Sequence, residues 1–116
     1  MPDLLRAYSD YLLLERRYLP ATVESYQGVV RRFLEHCAAR GIEPAEAGEE
    51  EIGYWFMIQR TPEGEPVDPR TTAREVSALR SFFRYLMLEG ERPDNPALLL
   101  ERPKARRKLP EVMSVA

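Results

Sequence analysis

At 116 residues, 44% of them apolar and with six Tyr, four Phe and one Trp, the chain can build one compact core, which excludes a disordered protein. The single Cys37 excludes an internal disulfide, and one histidine with no His/Cys cluster leaves neither a metal site nor a cofactor motif. That usage fits a reducing compartment, by default the cytoplasm. A net charge of −2 argues, as an average, against nucleic acid. No apolar run approaches the ~20 residues of a membrane span, and Met1 to Arg17 lacks the layout of an export signal, so neither membrane insertion nor export is expected.

Asp3 to Arg17 places Leu4, Leu5, Tyr8, Leu12 and Leu13 at three- and four-residue spacing, which predicts a first amphipathic helix with Asp3 as its N-cap. Leu19-Pro20 breaks that pattern. A second helix is expected from about Ala21 to Arg40, with Thr22, Tyr26, Val29, Val30, Phe33 and Cys37 on its apolar face and Gly41 as its stop. The third, Glu49 to Gln59, has an acidic first turn suited to the positive end of a helix dipole; Ile52, Trp55, Phe56 and Ile58 supply its apolar bulk. "TPEGEPVDP", Thr61 to Pro69, reads as a loop ending in an Asp-Pro start signal. The fourth helix runs from there to about Glu89, before Gly90. Asn95-Pro96 repeats the start signal and opens a short fifth helix, "ALLLE", which Pro103 ends. With no convincing strand, the fold is expected to be all-α, four main helices and one short one.

The average charge hides a marked asymmetry. Glu43 to Asp68 holds eight acidic residues against Arg60, whereas Arg102 to Lys108 holds five basic residues in seven. On the fourth helix, Thr72, Val76, Leu79, Phe82, Phe83 and Leu86 form the core face. Arg70, Arg74, Ser77, Ser81 and Arg84 form an opposed stripe, flanked by Arg80. A solvated face is the plain alternative. Such a face usually interleaves Glu with Lys, however, whereas this stripe is arginine without acidic partners, and the small serines would let a phosphate backbone come close. A helix of this kind fits a DNA major groove. The outer face of the second helix carries Ser25, Gly28, Arg31 and Arg32, with Thr22 near its N-terminus; Glu24 on the same side repels phosphate unless it meets a cytosine amino group.

"YLLLERRYLPATVESYQGVVRRFLEHCAARGI", "TTAREVSALRSFFRYLMLEG" and "DNPALLLERPKARRKLPEVMS", in that order, resemble the N-terminal core-binding domain of tyrosine recombinases, the phage-integrase and Xer-type group. The resemblance implies a SAM-like orthogonal bundle over residues 1–102, followed by a basic linker, 103–116, at the point where a catalytic domain would begin. It implies that the second and fourth helices lie against double-stranded DNA of a recombination site. The contacts would fall on Thr22, Ser25, Gly28 and Arg31, and on Arg70, Thr71, Arg74, Ser77 and Arg80. Other recombinase protomers are the implied protein partners, meeting through helices one and five.

The chain carries no catalytic set of its own. Transesterification through tyrosine needs an activated phenol with cations around the phosphate, and Tyr8, Tyr11, Tyr18, Tyr26, Tyr54 and Tyr85 fall mostly on or beside apolar faces. His36 has no evident partner in the sequence, and no feature suggests a small-molecule substrate or cofactor. The rival function is a protein-interaction module whose arginine stripe meets an acidic partner.

Overall fold

A computed structural model describes residues 2–98 and 100 of the chain. α1, Pro2–Asp10, leads directly into one wide turn of π-helix, Tyr11–Glu15. There the Arg16 N–H reaches back to Tyr11 O (3.0 Å) and the Tyr18 N–H to Leu12 O (3.0 Å), while Arg17 takes a left-handed conformation at φ 56°. The expected uniform helix to Arg17 is thus corrected, and Asp3 lies inside α1 rather than capping it. The reason is the reversal the chain makes toward Pro20, which also seats Tyr18 edge-on to Tyr26 at 5.8 Å. Tyr8, Tyr11 and Leu12 face inward; Leu13, expected on the apolar face, stands 42% exposed on the widened turn.

α2, Pro20–Arg40, starts with proline in its first turn, where a missing N–H is harmless. Gly41, at φ 71°, ends it: its N–H donates to Ala38 O and the Ile42 N–H to Cys37 O, which closes off the last carbonyls and sends Ile42 back onto the core. A short 3₁₀ turn, Pro44–Glu46, leads to α3, Glu49–Ile58. Ile52 and Trp55 are buried and Phe56 packs partly against them. Ile58, expected to be apolar bulk, is 43% exposed, because the helix ends there and the chain turns away into the loop.

That loop is a tight excursion in which Arg60 and Pro66 form an isolated antiparallel bridge and the Thr61 N–H donates to Glu65 O at 2.8 Å. α4, Pro69–Leu88, follows, its start fixed by Asp68, whose Oδ1 accepts from the Arg70 N–H at 2.7 Å. Gly90, at φ 76°, repeats the arrangement seen at Gly41, with the Glu91 N–H donating to Leu86 O at 2.9 Å. The expected fifth helix is not formed within the described residues. Pro96–Leu98 is a turn, with the Leu98 and Leu100 N–H groups bonding three residues back, although Asn95 does cap it by accepting from the Ala97 N–H at 3.0 Å. Leu99, Glu101 and the basic segment 102–108 lie outside the described residues.

The core sits where the four helices meet. Phe33 of α2 is fully buried between Trp55 of α3 (5.4 Å) and Phe83 of α4 (5.9 Å), both edge-on. Tyr8 brings α1 onto α4, its ring 5.4 Å from Phe82. α2 and α4 are the principal helix pair. Val76, Leu79, Phe82, Phe83 and Leu86 are buried as their spacing requires, while Thr72 is half-buried. Among the described residues no helix is long and apolar enough to cross a membrane. The fold is all-α with four main helices.

Candidate nucleic-acid interface

The pairing of α2 with α4 leaves a shallow groove between their outer faces, a hollow of about 260 Å³ lined by Glu24, Ser25, Gly28, Arg32, Thr71 and Arg74 with Val29 and Glu75 at its floor. Ser25, Gly28 and Arg32 recur at spacings of three and four and so stand in one row along α2; Thr71 and Arg74 do the same along α4. Five of the residues singled out in the sequence therefore meet in one place. Arg70 and Arg31 are exposed beside it, and Thr22 is half-buried toward the start of α2.

Gly28 contributes by what it lacks. A Cβ placed there would meet nothing within 4 Å, so the protein's own packing does not demand glycine, and its effect is to keep the groove's α2 wall low. The groove also holds Glu75, the one acidic residue among the arginines from Arg70 to Arg84, whose burial and partner a charge count along one helix does not reveal. Glu75 is 2% exposed and its Oε2 receives the Arg32 Nη2–H at 3.1 Å. Glu75 stands four residues before Leu79 and seven before Phe82, on the core side of α4. That spacing was the sequence signal that a carboxylate here would be buried and in need of a partner.

The arginine stripe does not run on as one surface. Its C-terminal half opens on a second hollow, about 420 Å³, lined by Tyr11, Arg16, Tyr18, Arg80, Ser81 and Arg84 together with Met87, Leu88, Asn95 and Leu98. Two of the expected DNA-facing residues are engaged within the protein there. Ser81 Oγ accepts the Tyr8 phenol at 2.9 Å. Arg80 donates to three backbone carbonyls of the segment after α4: Ala97 at 3.1 Å, Leu98 at 3.2 Å and Leu100 at 2.7 Å. Asn95 Nδ2 returns a bond to Arg80 O at 3.0 Å. Arg84 is exposed and Ser77 half-buried on the same helix.

Arg92, which no pattern in the sequence singles out, ties the same segment to the turn before α3. It donates to Ala47 O at 2.7 Å, chelates Asp94 (2.9 and 3.3 Å) and lies over the Phe83 ring at 5.2 Å. The bond to Arg92 holds the Asp94 carboxyl below its usual range. His36 also has a partner, contrary to the expectation of none: its Nε2 meets Glu51 Oε2 at 2.5 Å, and Arg40 Nε approaches the same oxygen at 2.9 Å. Burial pushes the Tyr8 phenol far above its ordinary pKa, against a smaller opposing effect of its Ser81 bond; such a group is bound into the core as a donor and is unsuited to attack.

Residues 5–90 match the family model described as phage integrase, N-terminal SAM-like domain. The chain is 38% identical over 108 residues to a protein named tyrosine recombinase XerD from Brucella suis, an overlap of 93% of this chain and 34% of that protein. It is 31% identical over 116 residues to tyrosine recombinase XerD of Listeria monocytogenes, 99% of this chain and 38% of the relative. To a tyrosine recombinase of Pseudothermotoga lettingae it is 32% identical over 113 residues, 97% and 39% of the two chains. The chain thus spans a little over a third of the length of these relatives. No solved structure matches it. A four-helix fold with this match over most of its length belongs to the phage integrase N-terminal SAM-like domain family.

Proposed function

We propose that the chain is the DNA-binding, core-binding part (residues 1–102) of a site-specific tyrosine recombinase, leading into a basic linker at 103–116. It clamps a double-stranded recombination site while a catalytic part of the full-length protein cleaves and rejoins strands. The observation that carries this reading is the convergence of Ser25, Gly28 and Arg32 of α2 with Thr71 and Arg74 of α4 on one low-walled groove, with Arg70 and Arg31 exposed beside it. Arginines and small hydroxyls are the usual phosphate contacts, and a groove walled by two helices gives them a common direction. Relatives named tyrosine recombinases over this same stretch support it. Within the reading, Arg70, Thr71 and Arg74 approach the backbone or base edges from α4, while Arg80 and Ser81 act by holding neighbouring segments in place. Other protomers assembled on the same DNA are the expected protein partners.

Titration of labelled duplex DNA at low ionic strength tests the proposal. Binding should weaken as salt rises, because each neutralised phosphate releases counterions. Arg70→Ala and Arg74→Ala should each reduce affinity and flatten that dependence. Absence of binding, or binding indifferent to both changes, refutes it.

A further inference from the structure

The Arg32–Glu75 pair is an odd thing to find in the floor of a groove meant for phosphate. A negative carboxylate repels the ligand, and an ion pair that buries one of its partners is a weak source of stability, since desolvating the carboxylate offsets much of the attraction. This one is also imperfect: Glu75 Oε1 is buried with no hydrogen-bond partner, as is Nε2 of Gln59 just past α3. Both residues converge on the same guanidinium. Arg32 donates through Nη2 to Glu75 and through Nη1 to Gln59 Oε1 at 3.4 Å, and its Cζ lies 6.0 Å from the Trp55 ring. Groups from α3, the segment after it and α4 therefore fix an arginine that belongs to α2. The side chain is nevertheless 47% exposed, and the two bonds engage only two of its five N–H donors.

We propose that Glu75 is a positioning residue for DNA binding: it holds the Arg32 guanidinium at the mouth of the α2–α4 groove, with its remaining donors turned outward to a phosphate oxygen. This inference rests on the proposed DNA-binding function. An unrestrained arginine must lose side-chain freedom when it binds, whereas one already gripped on three sides loses little, so the carboxylate's repulsion of phosphate is outweighed by the order it imposes on the cation facing it.

The test turns on a sign. If Glu75 acts only through its charge, Glu75→Gln removes a repulsive group and tightens binding to duplex DNA. If Glu75 positions Arg32, E75Q, whose amide oxygen still accepts but without charge assistance, loosens the grip and weakens binding, by up to about tenfold and by no more than Arg32→Ala does, and adds no further loss in the R32A background. Thermal midpoints measured alongside should stay close to wild type for E75Q, because a neutral isostere keeps the packing. Should E75Q fold poorly, Arg32→Lys separates the two cases as well: it keeps the charge but loses the fork that spans Glu75 and Gln59, so positioning predicts a loss like that of R32A. Binding by R32K equal to wild type, or tightening by E75Q, overturns the inference. If R74A weakens binding while E75Q does not, the DNA-binding function stands and this inference alone falls; if the wild type does not bind duplex DNA, both fall.

Discussion

Replacing Arg80 with alanine should loosen the chain after α4 rather than remove a DNA contact. Three carbonyls lose a charged donor, two of them in partly buried positions. A bond to a charged group contributes about 1.5–3 kcal/mol when its partner is left stranded. Here the carbonyls can return to water once the segment lifts, so the total is about 2–3 kcal/mol rather than the sum of three such bonds. Loss of docking also exposes Ala97, which is completely buried. The cost should appear as local opening: amide hydrogen exchange at Ala97 and Leu100 should accelerate by about 30- to 150-fold, while amides in the middle of α2 are little changed. Arg80→Lys should fall between, since one compact ammonium cannot span three carbonyls. Unchanged exchange in R80A, together with a loss of DNA affinity equal to that of R74A, would refute this reasoning and return Arg80 to the DNA-facing surface.

Gly28→Ala should raise stability by up to about 1 kcal/mol in denaturant unfolding, because glycine is a poor residue in a helix interior and the added methyl meets nothing. If DNA comes close at that point, the same variant binds more weakly despite being more stable. Tyr8→Phe removes the bond to Ser81 and should cost about 1 kcal/mol, read as a lower midpoint in urea, with no change in the edge-on packing on Phe82. Burial, with a smaller push from Glu51, raises the Cys37 thiol from 9.0 to about 11. In the unfolded chain the thiol ionises first, so stability should fall as pH rises through that window, by about 2–3 kcal/mol at most. Cys37→Ser should remove that part of the alkaline slope, and a thiol reagent at neutral pH should react with the wild type only as fast as it opens.

Local rules decide much of this fold, and they are written in particular residues. Pro20 and Asp68-Pro69 start α2 and α4, Gly41 and Gly90 end them, and the period of Val76, Leu79, Phe82 and Leu86 sets the buried face of α4. Each depends on a residue's own backbone preference or on neighbours within a turn, so one sequence suffices to read it. The basic stripe was legible for the same reason, since spacing along a helix assigns side chains to a face.

What spacing cannot assign is the neighbour that face meets. Nothing local makes the chain widen into a π turn at Tyr11–Glu15; the need to reverse while keeping Tyr8 and Tyr11 against α4 and Leu12 in the core does. Asn95 caps a turn rather than a helix within the described residues because Arg80, fifteen residues earlier, holds the carbonyls that follow it. Glu75 looks like an interruption in a run of arginines until α2 brings Arg32 to it from 43 residues away. The sequence alone therefore determined the helices, their ends and the side of each that is polar. Only the tertiary structure decided which arginines remain turned outward and which are bound to the protein itself, because a guanidinium's partners are chosen by packing across the chain rather than along it.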